Sequence, residues 1–226
     1  MKALVFGSQT DALGPLLAQY GIVTVAEHPD LVICYGGDGT LLRAEYEHPG
    51  VPKLLLRNSR VCKFCSPLAN DEILERVGAG RYTIRDIIKL EVRANGRTLV
   101  GVNDIIIHNA DPRHGIRYRL YADGKPIGGE IIGDGIVVAT PLGSTGYYRS
   151  ITDSSFAVGI GVAFNNSTEQ SDHMVLADTS ALKLALVRGP AVVYADNQPG
   201  TIELADGDEV AVARASATAR LITVEL

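Results

Sequence analysis

The densest chemistry in the chain lies in six consecutive residues, Tyr35-Gly36-Gly37-Asp38-Gly39-Thr40. Three glycines open φ values closed to other residues and let the backbone come close to a ligand. A helix starting here presents main-chain N–H groups to an anion, phosphate above all. A carboxylate in such a turn is repelled by phosphate unless it has a task there. Asp38 therefore reads as a metal ligand or as a base on an attacking hydroxyl. No Lys-Ser/Thr follows the glycines, so the turn is not a P-loop. Neutralising phosphate charge then falls to Mg²⁺ and to basic side chains, with Arg57, Arg60 and Lys63, close after the turn in sequence, as the candidates.

Two further segments combine polar groups with buried-strand patterns. Gly133-Asp134-Gly135 runs into the apolar stretch Ile136-Val137-Val138-Ala139, followed by Thr140-Pro141-Leu142-Gly143-Ser144-Thr145-Gly146-Tyr147-Tyr148-Arg149-Ser150. Hydroxyls and glycines concentrated after a buried strand can present donors to a polar ligand and start a short helix. Asn103-Asp104 heads the apolar run Ile105-Ile106-Ile107. An amide beside a carboxylate can pair with a ribose diol or an amide-bearing base edge.

These segments need elements to hold them. Residues 2–7, 22–26, 31–35 and 53–57 read as strands. Helices over 11–20, 40–46 and 70–77 alternate with them. That alternation predicts a small α/β unit over residues 1–80. From residue 82 the pattern changes. Residues 87–93 alternate with a period of two, Asn95-Gly96 marks a hairpin, and 98–108 reads as one strand. Further strands are expected over 118–121, 126–132, 136–139, 182–187, 192–195, 202–204, 209–213 and 219–224, a β-rich domain. The last of these is free to pair with either domain.

Composition narrows the classes. The chain has 226 residues, 46% hydrophobic, with 21 Lys and Arg against 26 Asp and Glu. A core needs no staples at this length, and a net charge of −5 argues against a nucleic-acid partner. No stretch is apolar for long enough to span a bilayer, and a signal-peptide pattern is absent at the N-terminus, so a cytoplasmic protein is expected. The five histidines have no metal-ligand spacing, and no metal site is assigned. Cys62-Lys63-Phe64-Cys65 has redox or zinc spacing but no second pair. It reads as two reduced thiols near a loop, with a local disulfide as the rival. Cys34 reads as a small buried hydrophobe.

Taken together and in this order, the three segments resemble the NAD kinase family. Its pattern is a GGDGT turn, an Asn-Glu pair on a strand, and Thr-Pro-Thr-Gly-Ser-Thr-Ala-Tyr after an Asp-Gly. Here these stand as residues 36–40, Asn103-Asp104, and Asp134-Gly135 followed by residues 140–147. A late Asp-x-Gln appears as Asp196-Asn197-Gln198. The resemblance implies an α/β N-terminal domain carrying the glycine turn and an all-β, β-sandwich-like, NAD-binding C-terminal domain over residues 81–226. It also implies transfer of a terminal phosphate from ATP or polyphosphate, with Mg²⁺, to the adenosine-ribose 2′-hydroxyl of NAD. The product is NADP, and the enzyme a homodimer or homotetramer. On this resemblance Asp38 acts on the hydroxyl, while Gly36, Gly37, Gly39 and Thr40 face phosphates. Asn103 and Asp104 bind ribose or nicotinamide groups. Thr145, Gly146, Tyr147 and Ser150 hold the adenine side, and Asp134 matches an aspartate that reaches NAD at a subunit interface. Phe64, His114 and Gln198 complete the NAD set.

The chain also departs from the pattern. Asp104 replaces Glu, and Leu142 and Gly146 replace Thr and Ala. Residues 57–65 lack the glycines of the family's Asn-x-Gly-x-x-Gly-Phe-Leu loop, and residues 154–173 are reduced. Two other readings stay in view: a related kinase acting on a lipid or sugar hydroxyl, and a non-catalytic dinucleotide sensor.

Overall fold

The structure is a computed structural model that describes residues 1–168 and 172–225. In chain order its elements begin with β1 (Lys2–Gly7), α1 (Leu13–Gln19), β2 (Val23–Thr24), β3 (Leu31–Gly36) and α2 (Asp38–Glu47). Then come β4 (Lys53–Arg57), α3 (Asn70–Gly78) and β5 (Thr83–Ile87). The strands β6 (Leu90–Ala94), β7 (Arg97–Gly101), β8 (Asp104–Asn109), β9 (Ile116–Ala122), β10 (Lys125–Gly133) and β11 (Gly135–Ala139) follow, then the short helix α4 (Tyr147–Thr152). The chain ends with β12 (Ile160–Asn165), β13 (His173–Leu176), β14 (Leu182–Arg188), β15 (Ala191–Ala195), β16 (Thr201–Leu204), β17 (Glu209–Arg214) and β18 (Ala219–Thr223). Two compact units result: Met1–Ile87 with residues 218–225, and Ile88–Ala217.

In the first unit the sheet order is β2-β1-β3-β4-β18-β5. All neighbours are parallel except β18 and β5. The run Leu31-Val32-Ile33-Cys34 is buried on both faces, as a central parallel strand requires. Leu31 and Ile33 enter one core with Leu13 and Leu17 of α1 and Ile73 and Leu74 of α3. Val32 and Cys34 enter another with Leu41 and Ala44 of α2. Helices therefore cover both faces. From β1 the order steps to β2 on one side and to β3 on the other. In open α/β sheets, ligands bind outside the carboxyl ends of the strands at such a reversal. The Gly36-Gly37 turn is the carboxyl end of β3. A buried ion pair between Lys53 of β4 and Glu45 of α2 ties this helix to the sheet, and Lys53 also donates to the His48 carbonyl.

The second unit is a sandwich of two antiparallel six-stranded sheets, β10-β9-β14-β17-β6-β7 and β13-β12-β11-β8-β15-β16. One core lies between them, filled by alternate residues such as Leu90, Val92, Tyr118, Leu120, Ile105, Ile107, Ile136 and Val138. The remaining residues of β11, Val137 and Ala139, face a smaller cluster with Tyr148 of α4. Burial on both faces explains why Ile136-Val137-Val138-Ala139 is continuously apolar. The α/β-plus-β-sandwich class expected from the sequence is the class observed.

Three local expectations change. Residues 98–108 form two strands, because the chain turns at Val102 and Asn103, whose N–H groups bond Asp196 instead of a neighbouring strand. Residues 87–93 also divide. Ile87 pairs with Ala219 in the first unit, and Leu90 pairs with Gly101 in the second. Finally, β12 lies inside the stretch 154–173 without having been expected. Its glycine and Phe-Asn-Asn sequence hides the alternation, and its pairing with β11 supplies the order. Residues 169–171 of that stretch lie outside the described residues.

Candidate functional site

The glycine turn converts directly into helix α2. Gly37 is its N-cap, in extended conformation, and Asp38 is its first helical residue. A Cβ on Gly36 would lie 2.1 Å from the Thr40 hydroxyl, so the absence of that atom makes room for Thr40. A Cβ on Gly37 would lie 2.9 Å from the Val61 carbonyl and 3.1 Å from Ser59 Cβ. The loop following β4 therefore lies against the bare face of the turn. Asn58 extends the contact by donating its N–H to the Gly36 carbonyl at 3.0 Å.

That loop delivers two main-chain donors to Asp38. The Lys63 N–H meets Oδ2 at 3.0 Å, and the Phe64 N–H meets Oδ1 at 3.1 Å. Charge-assisted bonds of this kind fix a carboxylate in position. The structure thus brings together Gly36, Gly37, Asp38, Gly39, Thr40 and Phe64. Arg57 donates to the Cys62 carbonyl at 3.4 Å, and Arg57, Arg60 and Lys63 are all exposed. Cys62 and Cys65 are not free thiols: they form a disulfide across the tip of this loop. Spacing alone leaves the two states open, and the loop geometry brings the sulfurs together. The Cys62 sulfur lies 3.4 Å from Asp38 Oδ1. Carrying no proton in the disulfide, it is a van der Waals neighbour there and not a donor.

In the second unit the chain before β8 is organised by one residue, Asp196, in left-handed conformation just after β15. Its Oδ2 accepts the Val102 N–H at 2.7 Å. Its Oδ1 accepts those of Asn103 at 2.8 Å and Asp104 at 3.1 Å. Asn103 in turn receives the Thr140 N–H on its carbonyl at 2.8 Å. The Thr140 hydroxyl donates to the Val102 carbonyl at 2.7 Å and accepts the Gly143 N–H at 3.1 Å. Gly143 lies so close that a Cβ would be 2.0 Å from the Asn103 carbonyl oxygen. Asn103, Asp104 and the segment 140–146 are thereby locked into one surface. The side-chain Oδ1 of Asn103 is buried there with no partner among the described residues. Such an atom fits a ligand that carries a donor.

Asp104 is buried beside Asp196. Burial, and then the Asp196 charge, push its carboxyl up to about 7. Burial also raises Asp196, against the three N–H donors and Lys89, which favour its charged form.

The remaining predicted residues fall nearby or apart. The Tyr147 hydroxyl receives Asn165 Nδ2 at 3.0 Å, and the same amide reaches His108 Nε2 at 3.1 Å. Asp134 is held by Asn109 Nδ2 at 3.2 Å and Asn166 Nδ2 at 3.1 Å. Ser150 is exposed, and its hydroxyl donates to the Tyr147 carbonyl. Gln198 donates to the Val100 carbonyl at 2.6 Å. Thr145 is half-buried in the 140–146 segment. His114 is exposed, in the loop before β9, and its carbonyl accepts Asn109 Nδ2. Gln198 follows from the Asp-x-Gln motif, but Asp196 of the same motif, not among the expected site residues, is the one that shapes the site. Its place in the Asp196-Asn197-Gln198 motif, directly after the strand 191–195, was the available signal. His108 and Asn165 had none.

Among the described residues no group of three or more His, Cys, Asp or Glu side chains is placed to hold a metal ion. Nor is any helix long and apolar enough to cross a membrane.

The family model of the ATP-NAD kinase C-terminal domain matches residues 102–224. An NAD kinase of Pyrococcus abyssi is 36% identical over 126 residues, which is 54% of this chain and 45% of that protein. An NAD kinase of Carboxydothermus hydrogenoformans is 30% identical over 226 residues, 91% of this chain and 80% of that one. The match thus spans under half of the first relative and four fifths of the second. The crystal structure of an NAD kinase from Archaeoglobus fulgidus in complex with ATP superposes with a TM-score of 0.83 at 21% identity. It covers 100% of this chain and 94% of that one.

Proposed function

The chain belongs to the NAD kinase family, and from that premise we propose that it transfers the terminal phosphate of ATP to the 2′-hydroxyl of the adenosine ribose of NAD, giving NADP. The observation that carries this reading is Asp38, a carboxylate set at the first position of α2 and oriented by the N–H groups of Lys63 and Phe64.

A ribose hydroxyl is too weak an acid to ionise before it attacks, so proton transfer to Asp38 accompanies bond formation to phosphorus. Each carboxylate oxygen has two acceptor positions. One on each is taken by a main-chain N–H, which leaves one on each for the substrate hydroxyl. The N-terminus of α2, with Gly36, Gly37, Gly39 and Thr40 around it, supplies positive potential for phosphate oxygens. Asn103 Oδ1, lacking a partner among the described residues, accepts a donor from NAD. Asp104, with its raised affinity for a proton, supplies a hydroxyl donor to the ribose or nicotinamide. Thr145, Gly146, Tyr147 and Ser150 hold the adenine side, and Phe64, His114, Asp134 and Gln198 complete the NAD contacts. Magnesium, which needs only phosphate oxygens, water and one or two carboxylates, would travel with the donor and neutralise charge on the transferring group. The enzyme works in the cytoplasm as a homodimer or homotetramer.

The test is a donor-by-acceptor matrix. Purified protein with MgCl₂ is given ATP or polyphosphate, against NAD, NADH, a sphingoid base and a sugar. NADP formed from NAD with ATP is expected. Phosphate found only on the lipid or sugar, or on no acceptor, would sink the reading.

A further inference from the structure

We propose that Cys62 and Cys65 form a redox site, and that a dithiol reductant acting on their disulfide switches Asp38 from a competent to an impaired base. The inference rests on the catalytic reading of Asp38, but its structural half can be tested without it.

Three observations place the disulfide in control of the carboxylate. First, the residues inside its ring, Lys63 and Phe64, are the ones whose N–H groups hold Asp38. A closed Cys-x-x-Cys ring restricts the very peptide units that carry both donors. Second, the Cys62 sulfur itself lies 3.4 Å from Asp38 Oδ1. In the disulfide it has no proton to give. As a thiol it becomes a third donor, and Oδ1 would then carry both the Phe64 N–H and the Cys62 S–H. No acceptor position on that oxygen would remain for a substrate hydroxyl, which is left with the single free position on Oδ2. Third, the two sulfurs differ in access. Cys62 is 8% exposed and packs with Val32, Cys34 and Leu41. Cys65 is more open and lines, with Phe64, Ser66 and Leu221, a cavity of about 240 Å³.

The chemistry balances as follows. A thiolate of the reductant attacks the Cys65 sulfur, the S–S bond breaks, and its electron pair leaves on Cys62. The second thiolate of the reductant then attacks the mixed disulfide, releasing Cys65. The reductant ends as a cyclic disulfide, two electrons oxidised, and the protein gains two thiols. The Cys62 thiolate takes a proton from solvent, and at 3.4 Å from Oδ1 that proton can be given to Asp38. Reduction therefore loosens the ring and crowds the base at once, and both effects lower turnover.

The experiment poises the full chain in reduced or oxidised dithiothreitol. Alkylation after unfolding counts the thiols, amide exchange is followed at Lys63 and Phe64, and NADP formation is assayed with Mg²⁺ and ATP. Of the three cysteines, one is expected to alkylate after oxidation and three after reduction. On reduction the Lys63 and Phe64 amides should exchange faster. The kcat should fall about tenfold, the equivalent of one charge-assisted bond, with the KM for NAD little changed. Reoxidation should restore it. Cys65→Ser should match the reduced enzyme in both redox states. Three thiols after oxidation, or exchange rates at Lys63 and Phe64 that ignore the redox state, would overturn the proposal, as would a kcat unmoved or raised by reduction. If no NADP forms in either state, the kinase reading fails, and thiol count and exchange still decide whether the disulfide controls the Asp38 loop.

Discussion

Asp196 and Asn103 are 93 residues apart in sequence, yet the Asn103 N–H reaches Asp196 Oδ1 at 2.8 Å. The same carboxylate holds the N–H groups of Val102 and Asp104. One side chain thus bends the chain between β7 and β8 and presents Asn103 and Asp104 side by side.

Asp196→Ala leaves those three N–H groups without their acceptor. The expected cost is about 2–4 kcal/mol of stability, read by urea unfolding. The KM for NAD should rise more than kcat falls, because the lost feature is the shape of the acceptor surface. A variant as stable as the parent would show that solvent replaces the carboxylate without penalty.

Asp38→Asn keeps the size of the side chain and removes its basicity. A fall of about 10²- to 10⁴-fold in kcat is expected, with NAD binding within a fewfold of the parent. Steady-state kinetics beside calorimetric NAD titration separates the two. Full activity would remove Asp38 from the chemistry.

Asp104 should make stability pH-dependent. Its folded pKa of about 7 lies above the ordinary value of about 4 for an unfolded aspartate. The folded state therefore holds the proton more tightly. The stability tied to the protonated form is complete below about pH 4 and is lost as pH rises through about 7. Asp104→Asn cannot titrate. Relative to the parent, the variant should gain several degrees in Tm between pH 5 and pH 8, at roughly 2–4 °C per kcal/mol for a protein of this size. A difference in Tm that does not change with pH would refute the raised value.

Gly143→Ala places a methyl 2.0 Å from the Asn103 carbonyl. The opposing atom is backbone, so the 140–146 segment must move. A loss of about 1–3 kcal/mol, together with weaker NAD binding, is expected from thermal melts and titration. Gly129→Ala, where a Cβ meets nothing within 4 Å, is the matched control.

Much of this was legible from residue order. The apolar run 31–34 ending in Gly36-Gly37 specifies a doubly covered parallel strand with a ligand turn at its carboxyl end, because few other patterns bury both faces of a strand. The period-two stretches after residue 88 specify antiparallel strands, because their side chains alternate between core and solvent. Asp38 stood out as a charge needing a reason. These are local signals, written within a few residues of where they act.

Other features became visible only in three dimensions. The pairing of β18 with β4 and β5 brings the end of the chain back to the first sheet, a choice made by edge hydrogen bonds and the Ile222 contact with its core. Asp196 acts on residues far behind it in sequence, and nothing local marks a carboxylate as the acceptor of three distant N–H groups. The disulfide is similar. Cys-x-x-Cys spacing permits either thiols or a bond, and the loop's descent onto Gly37 decided it by setting the two sulfurs together above Asp38. Sequence determined which groups the protein carries, because composition and periodicity fix elements and turns. Tertiary structure decided which groups meet, because those meetings depend on long-range closure of the chain.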